Sequence, residues 1–394
     1  MDISPSTSAS GNPQSSHDSS TEHPNHQRSG LQFASWTPRV KPLAGLLIAQ
    51  SVSGVAEAHV KWFHAGEAPP INLAALLEPV TLTLILAVSA LVIALWFVQR
   101  ARAGASLLPS VEWFGATPER RMALYGFVPA ILGIHLAVSL FVSGVSGHLF
   151  SSNNVLPGAT AYLFGLAQAG IALSLFYGGL ARVSALFLAA LWFAGLFIFG
   201  LEPMLDNILI LGFAAFFWFA GRGPISIDRL ILPRLEPRLT EMRQAIPALR
   251  IGIGLSLVAA AVSEKLANPT LAIGFLQQQP LNFTSSLGLP IPDALFAQLA
   301  GSIELLVGLC LLFNIFSREI IVIAWFPINL TLTIFDSTEL VGHLPIYGAM
   351  AVLLVWENGA KNLELWTRGL REGPLPVIEQ PEPVLIPESI QVTR

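Results

Sequence analysis

Long apolar runs separated by short polar stretches make up most of the chain between residues 43 and 357. Several runs contain about 20 residues, enough for a helix to cross roughly 30 Å of hydrocarbon at 1.5 Å per residue. Helices are expected because backbone polar groups within lipid need partners in their own segment. Apolar runs bounded by charge, Pro or Gly predict about ten spans, at 43–63, 78–98, 124–146, 158–178, 182–201, 204–221, 249–265, 292–315, 319–336 and 342–357.

Composition supports an all-α, polytopic integral membrane protein, with the lipid bilayer as its main partner. The 394 residues are 53% hydrophobic and 12% charged, with a mean hydropathy of +0.63. Soluble domains carry about 25% charged residues, roughly twice this share. The net charge of −4, without a basic patch interleaved with aromatic residues, argues against a nucleic-acid partner. The lone cysteine, Cys310, excludes an internal disulfide, a dithiol redox couple and a multi-thiolate metal site.

Three segments outside the predicted spans have compositions of their own. Residues 1–40 are rich in Ser, Asn, His, Pro and Gln and are expected to be disordered. Residues 373–394 are Pro-rich and acidic, which is typical of a flexible tail. The linker 222–247 is basic and amphipathic, which favours a helix on an anionic inner leaflet; docking of a soluble partner is the alternative.

The basic residues orient the predicted spans. With the N-terminus inside, every Lys and Arg of the chain except Lys61 and Lys265 falls in a segment on the inner side. The spans were drawn from hydropathy and not from charge, so this asymmetry supports both their number and their direction. Both termini are therefore expected in the cytoplasm.

The last eight spans predict an internal repeat of four helices, 124–221 and 249–357, which follows an N-terminal hairpin over 43–98. Gly133–Leu149 aligns without gaps to Arg250–Leu266. Coincident positions in this alignment include Ile134/Ile251, Ser139/Ser256, Leu140/Leu257, Val145/Val262, Ser146/Ser263 and Leu149/Leu266. In the next helix of each unit, Gln168 and Glu304 both stand 14 residues before an arginine. Four spans return the chain to the same side, so the two copies would be parallel.

The second unit resembles the DoxX family of small four-helix bacterial membrane proteins. The resemblance covers roughly 110 residues and depends on Arg250-Ile-Gly-Ile-Gly, Ser263-Glu264-Lys265-Leu266, Glu304, Arg318 and Gly342-His343-Leu344-Pro345. The first unit departs from this pattern, with Gln168 in place of the Glu and Gly147-His148 in place of Glu264-Lys265. The resemblance implies a bacterial inner membrane and, for some members, a membrane subunit of quinone-linked sulfur oxidation; others are placed in redox-stress complexes.

Three polar side chains within the spans are candidates for an embedded site: Glu304, His135 and Gln168. An ionisable group at the centre of a span costs about 2.5–3.5 kcal/mol on insertion scales, so it calls for a partner or a function. Glu304 would carry a proton or contact a quinone head group, or it would fix helix packing. His135 would relay protons or bind a cofactor, or it would form a structural hydrogen bond across helices.

A second candidate group gathers at the outer ends of the spans. Its members are Glu57, His59, Lys61, His64, His148, Glu202, Asp206, Glu264, Lys265, Asp336, Glu339 and His343. If the bundles converge there, histidines and carboxylates would meet and bind a metal or an anionic substrate; otherwise these residues are ordinary solvated loop ends. The His spacings are not those of a tight metal site, so no metal is assigned.

No nucleotide-binding loop, zinc motif or nucleophile elbow occurs in the chain, which argues against an enzyme that acts on its own. Three functions stay open. They are a membrane subunit of a quinone-linked redox system with a redox partner subunit, a small-solute or proton-coupled transporter, and a membrane scaffold without catalysis. The only cofactor suggested is a quinone.

Overall fold

A computed structural model describes residues 60–63, 69–279, 281–331 and 337–373. These residues are helical, apart from turns, loops and one isolated β-bridge between His148 and Val155. The helices are α1 Val60–Phe63, α2 Pro79–Ala101, α3 Pro118–Val145, α4 Gly158–Tyr177, α5 Ala181–Phe199, α6 Leu201–Asp206, α7 Leu209–Ala220, α8 Ile227–Ile231, α9 Leu239–Met242, α10 Ala245–Ala260, α11 Pro269–Gln278, α12 Asp293–Leu312, α13 Ser317–Thr331, α14 Ser337–Val355 and α15 Ala360–Glu372.

Six helical segments are long and apolar enough to cross a membrane. They are α2, α3, α4, α5, the continuous stretch Leu239–Leu266, and α12. Leu209–Ala220 and Leu340–Val355 are apolar but shorter. The expectation of an all-helical membrane protein is confirmed at this level, whereas the count of ten spans stays a prediction. Of the first predicted span, 43–63, only residues 60–63 are among those described.

The outer faces of the spans have the composition expected for contact with lipid. On α4 and α5, Leu166, Phe187 and Phe197 are all more than half exposed. Large exposed apolar patches are unusual on soluble monomers. In a bilayer the same surface needs no partner protein, because lipid tails are as apolar as these side chains.

Successive long helices place their ends alternately at two ends of the bundle. One end of the bundle lies near Lys265 and includes the starts of α2 and α12; it is called the Lys265 end. The other end lies near Trp366 and includes the end of α2 and the start of α3; it is called the Trp366 end. Every basic residue in the described part of the chain, except Lys61 and Lys265, lies at the Trp366 end.

Helix α10 packs closely against two neighbours because glycines remove side chains at both contacts. A Cβ added to Gly252 would lie 2.6 Å from the Cα of Gly212 on α7. A Cβ added to Gly254 would lie 2.7 Å from the backbone nitrogen of Leu312 on α12. Small residues at such contacts let the backbones of membrane helices approach each other. The Gly-Ile-Gly run of the sequence therefore places α10 between α7 and α12.

The composition of the linker 222–247 predicts a single helix, whereas the structure shows several short elements there. It contains the short helices α8 and α9 and a 3-10 turn, Pro233–Leu235. Pro233 and Pro237 explain the interruption, because proline lacks the amide hydrogen and clashes with the preceding turn.

Two polar residues of this linker cap neighbouring helices. The Asp228 carboxylate accepts hydrogen bonds from the backbone amides of Leu180 and Ala181, the latter at 2.8 Å, where α5 begins. The buried Arg222 guanidinium donates to the carbonyls of Leu175 at 2.5 Å and Phe176 at 3.0 Å, where α4 ends. Burial lowers the pKa of Arg222 to about 10. The linker thus satisfies helix termini that would otherwise lack partners.

The sequence analysis did not predict α15, the amphipathic helix that follows the last apolar run. Its Trp366 is fully buried and donates from Nε1 to the Met242 carbonyl at 2.8 Å. The Trp366 ring also meets Tyr125 on α3 and Trp356 edge to face, with ring centroids 6.0 Å apart in both pairs. One indole therefore fastens α15 to α3 and to the linker.

We expect Trp366→Ala to lower the free energy of unfolding by about 3–5 kcal/mol, the usual cost of removing a large buried aromatic side chain. Denaturant unfolding of the full chain in detergent measures this loss of unfolding free energy. Trp113→Ala is the matched control, because Trp113 is 75% exposed. Equal, small losses in the two variants would contradict the docking of α15 through Trp366.

Candidate functional site

Helix α10 changes from α to π geometry at its last turn, Ala261–Leu266. This turn contains three consecutive polar residues, Ser263, Glu264 and Lys265, and all three are buried. In a regular α-helix three consecutive side chains point in directions about 100° apart, so they would not all face the protein interior by default. Single π turns within α-helices are frequent at functional sites.

Lys265 forms a buried ion pair with Glu304 of α12. Its Nζ lies 2.6 Å from Glu304 Oε2, and both side chains are 5% exposed. Gly301, one turn before Glu304, lets the α12 backbone lie against Lys265, because a Cβ at Gly301 would be 2.8 Å from the Lys265 Cβ. Glu264 Oε2 is 3.9 Å from the same Nζ and accepts a hydrogen bond from the Val60 amide at 2.9 Å.

The third residue of the π turn connects this pair to a second one. Ser263 Oγ donates to Asp206 Oδ1 at 2.7 Å, and Lys61 Nζ lies 2.5 Å from Asp206 Oδ2. Lys61 also forms an ion pair with Glu202 of α6. We call these residues the polar network: Lys61, Glu202, Asp206, Ser263, Glu264, Lys265 and Glu304. It joins α1, α6, the π turn and α12 at the Lys265 end.

The polar network contains four carboxyl groups and two ammonium groups. Of the four, only Glu202 is substantially exposed, with 38% of its side chain accessible. Charge is costly to bury in a membrane protein, so each buried carboxyl needs an ammonium group, a hydrogen-bond donor or a proton to offset that cost. The polar network thus places ionisable carboxyl groups beside a buried ammonium group.

The structure thus brings together several residues that the sequence analysis kept apart. Glu304 was placed mid-span and Lys265 in the outer group, whereas the two form one ion pair. Glu202, Asp206 and Glu264 join them through Lys61 and Ser263, so part of the outer group does converge. Residues Glu57, His59, His64 and Asp336, and the side chain of Glu339, lie outside the described part of the chain.

Gln168 has a structural role at the same end of the bundle. Its amide oxygen accepts from the Phe150 backbone nitrogen at 3.0 Å, and its Nε2 donates to the His148 carbonyl at 2.8 Å. The side chain is fully buried, so these bonds satisfy groups that water does not reach. Gln168 therefore holds the loop that follows α3.

The three described histidines of the candidate lists do not converge on one point. His135 Nδ1 is 2.8 Å from the Ile131 carbonyl, and its ring packs on Gly348 of α14. His343 is buried, with its ring centroid 6.2 Å from that of Tyr347. His148 lies in the loop after α3, where burial lowers its pKa. Among the residues described, no group of three or more His, Cys, Asp and Glu is arranged to hold a metal ion.

The sequence analysis missed a second network, at the Trp366 end. Arg121 is buried and lies 2.9 Å from Glu112 and 3.1 Å from Glu357, which also lies 3.4 Å from Arg318. A hydrogen bond from Lys361 to Glu112 lowers the pKa of that carboxyl. These residues come from α3, the 3-10 turn before it, α13, α15 and the segment just before α15, so this network fixes the Trp366 end. The signal in the sequence was weak because basic residues are expected throughout that end.

No protein-family model, curated protein or solved structure matches the chain. Among the features described, the polar network has the least obvious structural purpose, because burying charges rarely adds stability by itself. It is therefore the best candidate for a functional site.

We expect Lys265→Met alone to destabilise the protein by about 3–5 kcal/mol, because it leaves a carboxylate buried without its ammonium partner. The double variant Lys265→Met with Glu304→Gln should lose much less than the sum of the single changes. Unfolding of all variants in the same detergent gives the coupling energy. Strictly additive losses would mean that the two groups do not interact.

Proposed function

We propose that the chain is a multi-pass, DoxX-like protein of a bacterial cytoplasmic membrane and the membrane subunit of a quinone-linked redox system. Its site would be the Lys265–Glu304 pair, where a quinone head group would meet an ammonium donor and a carboxyl group. The single observation that carries this proposal is that buried pair, in which Lys265 lies on a π turn beside further carboxyls.

An apolar wall beside the pair supports the proposal. A small cavity of about 20 Å³ touches Lys265 and is lined by Phe275 and Phe296, among other apolar side chains. Aromatic side chains offer faces for a planar ring, and Lys265 offers a donor for a carbonyl oxygen. A cavity of this size holds no ring, so binding requires α11, which carries Phe275, to move away from α12.

The electrons and protons of quinone reduction can be accounted for without a cofactor in this chain. Reduction of a quinone to a quinol takes two electrons and two protons. The electrons would come from a redox centre in a partner subunit, since this chain has no cofactor motif. Carboxyl groups of the polar network would pass the protons, and the Lys265 ammonium would stabilise negative charge on the quinone oxygen.

An internal duplication forms part of the proposal. Gln168 and Glu304 occupy corresponding places, each three residues after a glycine that meets the preceding helix of its unit. Gln168 contacts residues 148–150, and Glu304 contacts Lys265, which aligns with His148. On this account the first unit keeps the packing and the second unit keeps the ionisable site.

The orientation we propose places the Trp366 end in the cytoplasm, because nearly all described basic residues lie there. Thr240→Cys at that end and Ser286→Cys at the Lys265 end test it, since both positions are exposed and the native Cys310 is buried. In intact cells an impermeant maleimide should label only Ser286→Cys. Labelling of Thr240→Cys before permeabilisation would overturn the orientation.

A test of the quinone site compares wild type, Glu304→Gln and Glu372→Gln in native membranes. Glu372 is exposed at the Trp366 end and pairs with Arg368, so it is a matched carboxyl control. Wild type and Glu372→Gln should co-purify with quinone and shift the quinone-to-quinol ratio, and Glu304→Gln should do neither. Absence of quinone and of any redox effect in wild type would end the proposal.

A proton-coupled transporter is the second candidate, and the buried carboxyl groups of the polar network favour it, because such groups can carry protons. Proteoliposomes under an imposed pH gradient discriminate the two functions. Uptake that needs the gradient and stops in Glu304→Gln, with no quinone bound, would select transport. If neither the quinone assay nor the uptake assay detects activity in wild type or any variant, the third function, a non-catalytic scaffold, is selected.

A further inference from the structure

A cavity of about 230 Å³ lies at the Lys265 end, between α3, the loop that follows it and the start of α14. Hydroxyl groups dominate its polar lining. The hydroxyl and imidazole side chains are those of Ser139, Ser143, Ser146, His148, Ser151 and Ser152. No Asp, Glu, Lys or Arg is among the described residues that line it. The described part of the lining is therefore polar without being charged.

The loop that forms one wall is held in place by its own hydrogen bonds. Leu149 donates to the Asn154 carbonyl at 2.9 Å, and Leu156 donates to the Gly147 carbonyl at 2.9 Å. Gln168 adds the two bonds from α4 to His148 and Phe150. The wall is thus formed before any ligand binds, and a preformed site loses less entropy on binding.

Several polar groups at this wall have hydrogen-bonding capacity left. Ser152 Oγ is buried and has no hydrogen-bond partner among the described residues. Ser151 Oγ accepts from Asn207 at 3.1 Å, which leaves its own proton to donate. Burial lowers the pKa of His148, so its ring is neutral near pH 7 and offers one donor and one acceptor. Buried polar atoms are normally satisfied, so these groups point to a polar occupant.

We propose that this cavity binds a small neutral solute with several hydroxyl groups, such as a polyol or a monosaccharide. A charged ligand would find no counter-charge among the described lining residues, whereas hydroxyl groups match the serines and the neutral imidazole. Phe150 and Val142 supply apolar surface for the carbon-bound hydrogens of such a molecule. Drug-sized ligands occupy pockets of about 300–1,000 Å³, so the occupant is smaller than these.

The site is separate from the quinone proposal, because none of its lining residues belongs to the polar network. Binding to it should therefore survive Glu304→Gln. This separates a failure of the solute site from a failure of the quinone site.

Equilibrium binding of radiolabelled D-glucose to the full chain in detergent tests the proposal, with D-gluconate as the charged analogue of similar size. Glucose should bind saturably, with a dissociation constant of about 1–10 mM, and gluconate should not compete. Ser152→Ala should weaken binding about 3- to 10-fold, the effect of one hydrogen bond, and His148→Leu should weaken it further. Ser286→Ala, at an exposed site away from the cavity, should leave binding unchanged.

Thermal unfolding of each variant checks that it folds. If Ser152→Ala does not fold, Ser151→Ala replaces it in the binding experiment. The proposal is overturned if glucose shows no saturable binding up to about 100 mM, a range well above the weakest affinity expected. Equal competition by gluconate would overturn the neutral-ligand assignment. Equal weakening by Ser286→Ala and Ser152→Ala would show that the cavity is not the binding site.

Discussion

The structure depends on the satisfaction of polar groups away from water. At helix ends and around buried charges, donors and acceptors find partners within the protein, whereas Ser152 Oγ has none among the described residues. Asp228 and Arg222 show this at helix termini, and Gln168 shows it within a loop. The same requirement makes the Lys265–Glu304 pair notable, because two charges are buried where apolar side chains would pack at lower cost.

The two ends of the bundle meet this requirement in different ways. At the Trp366 end, arginines bond to carbonyls and to carboxylates such as Glu357, and Trp366 closes the aromatic core. Those contacts fasten helices to one another. At the Lys265 end, buried carboxyls and ammonium groups meet in the polar network, and Glu264 and Lys265 lie on an irregular helical turn. The contacts at the Trp366 end explain how the helices are held together, whereas the buried charges at the Lys265 end are the basis of the function we propose.

Sequence reasoning identified the fold class because composition and run length report directly on the solvent that surrounds each helix. It also singled out Glu304 by the cost of a charge within a span, and it grouped Lys265 and Asp206 with the polar residues at the outer ends of the spans. It did not pair Glu304 with Lys265, because depth was judged from position in a run, whereas a long lysine side chain spans several ångströms. The π turn was invisible for a related reason, since no residue pattern specifies one. Helix α15 was missed because its polar face dominates its composition, and only Trp366 signals the buried side.

If the Lys265–Glu304 pair is the quinone site we propose, Glu304 changes its interactions when the quinone beside it is reduced. Redox-triggered infrared difference spectroscopy of the purified chain with bound quinone tests this most directly, because carboxyl and carboxylate groups have separate absorption bands. The account predicts a carboxyl band in the difference spectrum of wild type that is lost in Glu304→Gln and kept in Glu372→Gln. Identical difference spectra for all three proteins would contradict it.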